Sequence, residues 1–324
     1  SDEEGHSYIT IRDIVGERTN GTAKTDAGFN ARSTSDPWTI EGCTARDSSA
    51  NGFFGEQSSR SGIGSHLRVI DSEAANNSRR GAVAAGPESR DQVFSGLRSH
   101  DNGMDGILIN SRSGRLVGSR LTHNARDDSV PQHGFYIYPW RGGGSDWQIL
   151  DNELLGNETS GGRVAGVGVH VAGNIVAGSP YGFFVVDNDG PNSAHVVEDN
   201  LIMGTDPAAY AVELEGATGV VVRDNVLIES AGIGVVQGAR RGNADLVVSG
   251  NRFGPDAAGA FVYVGPAQAA GLSVFANCFD PDLTLDGAKA MQDDHRALGR
   301  SADTRDQVDP QGGDAVVTYF PACS

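Results

Sequence analysis

Short runs of alternating apolar and polar residues fill this chain, and one phrase keeps returning: apolar–x–(Asp/Gly)–Asn–x–apolar. It reads Ile149-Leu150-Asp151-Asn152-Glu153-Leu154, then Val197-Glu198-Asp199-Asn200-Leu201-Ile202. It returns as Val222-Arg223-Asp224-Asn225-Val226-Leu227 and Val248-Ser249-Gly250-Asn251-Arg252-Phe253, with looser copies at Asn174 and Asn277. Successive Asn residues are 22, 26, 25, 26 and 26 apart. A period of this size marks a solenoid, in which each turn packs on its neighbours. Cys43, Ser72, Gly96 and Ser119 carry the same column toward the N-terminus.

A second phrase starts at Gly or Ala and then alternates. Its copies run over 28–32, 52–56, 81–85, 106–110, 134–138, 182–186, 209–213, 232–236 and 259–263. Neighbouring residues on a strand face opposite sides. Phe29, Phe53, Ile107, Phe135, Phe183, Tyr210 and Ile233 are therefore expected inside, with the residues two places on. Each turn needs at least two short strands separated by Gly, Asn and Ser corners. Residues 286–300 are the one weak candidate for an amphipathic helix.

These columns resemble the right-handed parallel β-helix of the pectate-lyase-like superfamily, over residues 6 to 279. The resemblance implies an all-β, single-domain right-handed parallel β-helix solenoid of about ten turns. The helix is expected over residues 1–279, with 280–324 capping or crossing it. The superfamily includes lyases, epimerases, hydrolases, phage tail proteins and adhesins, so fold leaves activity open. Ile9–Ile14 already reads as a strand inside a turn, which gives the expectation of a trimmed piece whose N-terminal cap is missing.

Charge narrows the partners. With 25 basic and 42 acidic residues the net charge is −17, which repels polyanions and argues against nucleic acid. No apolar run reaches the roughly 18 residues of a membrane span. Neither a compartment (bacterial cytoplasm or secreted) nor an oligomeric state follows from the sequence. Cys43 falls in the Asn column and reads as a small buried hydrophobe. Cys278 and Cys323 leave two states open: a disulfide pinning the tail, or two reduced thiols.

The resemblance implies that chemistry sits on outward positions of one long sheet. The alternation puts Asn30, Phe54, Val83, Leu108, Tyr136, Phe184 and Ala211 in one outward column, and Asn110, Tyr138 and Glu213 in the next. Such a face is unusually apolar for a solvated sheet and calls for a ligand or a cover. The richest stretch is 127–141, where the expected catalytic residues are His133, Tyr136 and Tyr138. Histidine suits a general base near neutral pH, and tyrosine offers a flat apolar ring with a donor. Phe54, Leu108, Asn110, Arg112, Trp140, Arg141, Phe184 and Glu213 are the expected substrate-binding residues. Asp127 and Asp128 form an adjacent acid pair, but neighbours on an extended chain point apart.

The apolar face favours an enzyme that binds a polyketide-like small molecule and catalyses its cyclisation or rearrangement, a cyclase or isomerase as in polyether antibiotic biosynthesis. The alternative is a carbohydrate-active enzyme, a polysaccharide lyase or C5-epimerase, and a further one is a non-catalytic adhesin or fibre module. No cofactor is expected, and no cluster has transition-metal spacing. Under the carbohydrate alternative, acidic loops offer oxygen ligands to Ca²⁺.

Overall fold

The structure, a computed structural model, describes residues 9–20, 26–32, 38–56, 66–125, 132–139, 143–186, 194–230, 232–236, 242–255, 262–265, 269–288, 315–317, 320, 322 and 323. The chain divides into two compact units, 1–162 and 163–324. Both are built from the same three-strand rung.

In the first unit, sheet A runs from Ile9–Arg12 to Trp147–Leu150, and sheet B from Val15–Glu17 to Glu153–Leu155. Sheet C stacks Ala27–Arg32, Asn51–Glu56, Ala82–Ala85, Ile107–Ile109 and His133–Ile137. Every pairing recorded between these rungs is parallel, for example Ile107 with Phe135 and Ile109 with Ile137. Phe29, Phe53, Ala82, Ile107 and Phe135 form one interior column, and the Phe29 and Phe53 rings stack at 5.3 Å. The glycine that opens each sheet C strand has a steric cause. A Cβ on Gly106 would lie 2.5 Å from the Gly134 carbonyl oxygen of the next rung.

In the second unit, sheet A runs from His170–Ala172 to Ser273–Phe275, and sheet B from Ile175–Ala177 to Cys278–Phe279. Sheet C stacks Tyr181–Val186, Val212–Glu215, Ile233–Val236 and Val262–Val264, and Ala315–Val317 adds to its edge antiparallel. The strand Ser160–Val164, which the boundary between the units divides in sequence, is the strand that the short turn before Asn174 conceals. The architecture is that of a parallel β-helix.

The recurrent phrase marks a corner. The residue before each ladder position is left-handed: Asp151, Asp199, Asp224 and Gly250 have φ of 55°, 52°, 54° and 65°. Asp and Gly tolerate that region, which explains their alternation there. The Asn behind it is buried and bonds across rungs. Asn200 Nδ2 donates to Asn225 Oδ1 at 2.9 Å, Asn225 to Asn251 at 3.0 Å and Asn251 to Asn277 at 2.9 Å. The first unit uses a second ladder at the corner between sheets B and C, where Asn77, Asn102, Asn124 and Asn157 link in the same way. Its scattered spacing hides it from the first phrase. In the A–B corner the residue of the fourth rung is Leu97, whose N–H donates to Ser119 Oγ, and not Gly96. Gly96 is instead the left-handed residue, with φ of 62°.

Two alignments are corrected by two residues. Glu213 pairs with Phe184 and Gly234, and Tyr263 pairs with Gly234. Glu213 thus stands in the first outward column, where Ala211 was expected, and Tyr263, from the copy at 259–263, stands there too. Tyr210 is half-buried just before its strand and is not an interior residue.

The described part of the tail belongs to the end of the second unit. Leu283 and Ala288 pack with Leu201, Val226 and Ile228. Phe320 stacks on Phe253 at 5.4 Å, and Cys323 is disulfide-bonded to Cys278. Val316 lies opposite Tyr263, so this strand widens sheet C and does not lie over its face. Of the helix candidate at 286–300, the helical turn covers 285–288 and the rest lies outside the described residues. Cys43 is buried and reduced, as its column position predicts. No helix of the described residues is long and apolar enough to cross a membrane.

One buried group sets an acid limit on stability. His195 occupies an interior column between Val169 and Val220, fully buried, with Nδ1 accepting the Val169 N–H at 3.1 Å. Burial pulls its pKa from 6.5 down to about 4. The unfolded imidazole therefore binds a proton before the folded one does. Stability is intact above about 6.5 and falls as the pH drops toward 4, by on the order of 3 kcal/mol. Urea unfolding of the natural chain and of His195→Leu at pH 7 and pH 5 checks this. The variant should show a flatter pH dependence; equal slopes would remove His195 as the cause.

Candidate functional site

The first unit presents Phe54, Val83, Leu108 and Tyr136 in register on the outer face of sheet C. Phe54 and Val83 are buried, while Leu108 and Tyr136 are half-buried. The Tyr136 and Tyr138 rings lie 5.5 Å apart, and Tyr138 is exposed. These residues come together as expected, but their polar neighbours do not serve as predicted.

His133 shares the parity of Phe135 and Ile137 and is 2% exposed. Its Nδ1 lies 2.8 Å from Ser160 Oγ, and its backbone N–H donates to Asp105 Oδ1. Ser160 is also buried, so this pair is closed to a substrate and His133 is corrected from a surface base to a structural residue. Asp105 is fully buried against Arg80 Nε at 3.0 Å, and burial still raises its pKa. Asn110 is buried and donates to the Tyr138 carbonyl at 2.7 Å, which fixes the aromatic strand end and does not offer a ligand contact. Arg112 stands off the sheet, half-exposed, 3.9 Å from Glu88. Trp140, Arg141, Asp127 and Asp128 lie outside the described residues.

The second unit gathers more chemistry than its sequence suggests. The first outward column of sheet C reads Phe184, Glu213, Gly234, Tyr263. Gly234 is small for a reason: a Cβ there would meet the Tyr210 ring at 2.5 Å. Tyr210 lies in that gap and stacks on Tyr263 with centroids 6.0 Å apart and planes 17° off parallel. Tyr181 meets Phe184 edge-on at 5.5 Å, and the Arg163 guanidinium lies 5.5 Å from the Phe184 centroid. Glu213 is 9% exposed amid these rings.

Burial, reinforced by the charge of Glu215, pushes the Glu213 carboxyl up to about 7. Tyr181 is raised by burial, then by Glu213 and Asp206, and Tyr210 by burial, Tyr263, Glu213 and Tyr181. Perturbed groups that feel one another make this face a candidate functional site. Sequence reasoning missed Tyr181, Tyr210 and Tyr263. By contrast, Glu198 is held by His170 at 2.7 Å and by Arg223, a cross-rung ion cluster that binds neighbouring rungs of sheet A. Among the described residues, no group of three or more His, Cys, Asp or Glu is placed to hold a metal.

A family model described as "Right handed beta helix region" matches residues 25–201. The chain belongs to this family. Among curated proteins, no sequence matches this β-helix protein. In solved structures it is similar to the periplasmic alginate epimerase AlgG, at 13% identity and a TM-score of 0.57, over 78% of this chain and 62% of that one. It is also similar to the A-module of the Azotobacter vinelandii mannuronan C-5 epimerase AlgE4, at 17% identity and a TM-score of 0.52, over 86% and 71%. The β-helix protein thus spans 62% of the length of AlgG. At these identities the likeness concerns the fold. The expected polyketide cyclisation gains no support from these relatives.

Proposed function

We propose that the protein is a carbohydrate-active enzyme that holds a polysaccharide against the outer face of sheet C in the second unit. The observation that carries this reading is the ring of Tyr181, Phe184, Tyr210 and Tyr263 around the buried Glu213 carboxyl. Flat rings with a phenol edge suit the mixed apolar and hydroxyl surface of a sugar. A carboxyl that titrates near neutrality suits proton transfer. The names of the epimerase neighbours add C5-epimerase action on a uronic acid as one form of the reaction, beside the lyase action expected from the sequence.

Affinity electrophoresis against a panel of neutral and uronic-acid polysaccharides tests the reading. At least one polysaccharide should retard the protein. Tyr210→Ala and Tyr263→Ala should each weaken that binding by about 5- to 10-fold, the worth of roughly 1 kcal/mol of ring contact. Unchanged binding in both variants would exclude this face.

A further inference from the structure

Glu213 and Glu215 stand two residues apart on the strand Val212–Glu215. Residues so spaced point to the same side. That side is the outer one, because Val212 and Leu214 are fully buried in the core. Two steps of strand rise set the two Cα atoms roughly 6.6 Å apart. Side chains that leave one side of a strand can hold their carboxyls about this far apart. That spacing matches the roughly 6.5–9.5 Å at which two carboxyls can flank a sugar and a water, and exceeds the roughly 5–5.5 Å of a nucleophile–acid pair.

The two positions differ in surroundings. Glu213 aligns with Phe184 and Gly234, beneath the tyrosines, and is nine-tenths buried. Among the described residues, no hydrogen bond or ion pair reaches its carboxyl. Glu215 aligns with Val186 and Val236 and is half-buried. One carboxyl is thus poised to keep its proton, and a more open one stands beside it. Such a division separates acid from base. The face also belongs to a chain of net charge −17, which disfavours a polymer with a carboxylate on each sugar.

We infer that Glu213 and Glu215 are the proton donor and the base of an inverting glycoside hydrolysis, acting on a neutral polysaccharide laid across Tyr181, Phe184, Tyr210 and Tyr263. The inference rests on the polysaccharide reading above and goes beyond its lyase or epimerase form. Glu213 gives its proton to the glycosidic oxygen as the bond to the anomeric carbon breaks. Water attacks that carbon from the opposite side, and Glu215 takes the proton the water loses. Each turnover consumes one water and creates one reducing end, and proton exchange with solvent resets both carboxyls.

The test uses the full chain and the same polysaccharide panel, following binding, reducing ends, the ultraviolet absorbance of unsaturated sugars, and the anomeric NMR signal of the first product. A neutral polysaccharide should yield reducing ends of inverted configuration without unsaturated product. The rate should fall as the pH rises through about 7, since the acid must be protonated. Glu213→Gln and Glu215→Gln should each lower the rate by about 10²–10⁴-fold with binding retained. The pH profile is read on the unaltered chain and does not depend on how a variant folds. Unsaturated product, retained configuration, a rate rising through pH 7, or Glu213→Gln acting at the natural rate overturns the carboxylate pair and leaves the polysaccharide reading standing. Binding to no polysaccharide in the panel overturns both.

Discussion

Replacing Asn225 by Ala should lower the stability of the fold by about 3–6 kcal/mol, from two or three orphaned buried groups at roughly 1–3 kcal/mol each. Asn225 is fully buried. Its Oδ1 accepts from both the backbone N–H and the side-chain Nδ2 of Asn200, at 3.1 and 2.9 Å. Its Nδ2 is within bonding distance of the Val197 carbonyl, the Arg223 carbonyl and Asn251 Oδ1. Alanine removes all of these and leaves partners on the two neighbouring rungs without them. Asn225→Asp keeps the shape but lacks donors when ionised. It should cost more at pH 8 than at pH 4, where a protonated carboxyl regains one donor. Urea unfolding against the natural chain at each pH measures both effects. A cost near that of an exposed Asn→Ala change would mean that the ladder follows from the fold and does not hold it.

The second large effect concerns the tail. Cys278 and Cys323 are bonded across 45 residues of sequence. Closing a loop of that length removes chain entropy from the unfolded state worth about 4 kcal/mol at 25 °C. Reduction, or the pair Cys278→Ser with Cys323→Ser, should lower the unfolding free energy by that order. The losses should concentrate where the tail meets the second unit: Phe320 on Phe253, and Val316 beside Tyr263. Hydrogen exchange of Val262–Val264 should accelerate on reduction while the interior strand Val221–Arg223 stays protected. Equal exchange in oxidised and reduced protein would show that apolar packing alone seats the tail. Because Tyr263 belongs to the aromatic ring, reduction should also weaken polysaccharide binding.

The fold was legible because its signals are local. Parity along a strand, glycine where rungs approach closely, and Asp or Gly before a corner Asn each depend on a few neighbouring residues. They place Phe29, Phe53, Ile107 and Phe135 inside correctly, and they put Leu108, Tyr136 and Phe184 on the outer face. The site was legible only in part. His133 has the chemistry of a base, yet burial beside Ser160 closes it, and burial depends on what the rest of the chain places around it.

The sequence by itself determined the period, the parallel β-helix and the inward or outward side of most strand residues. A two-residue slip preserves side, so sequence alone could not detect that Glu213 had moved one column over. Only the pairing of Glu213 with Phe184 and Gly234 decided that, because rung-to-rung register depends on how each corner closes in space. Tertiary structure also decided the proton chemistry. A glutamate has an ordinary pKa in the chain, and here burial in the folded sheet face, then the charge of Glu215, pushes the Glu213 carboxyl up to about 7.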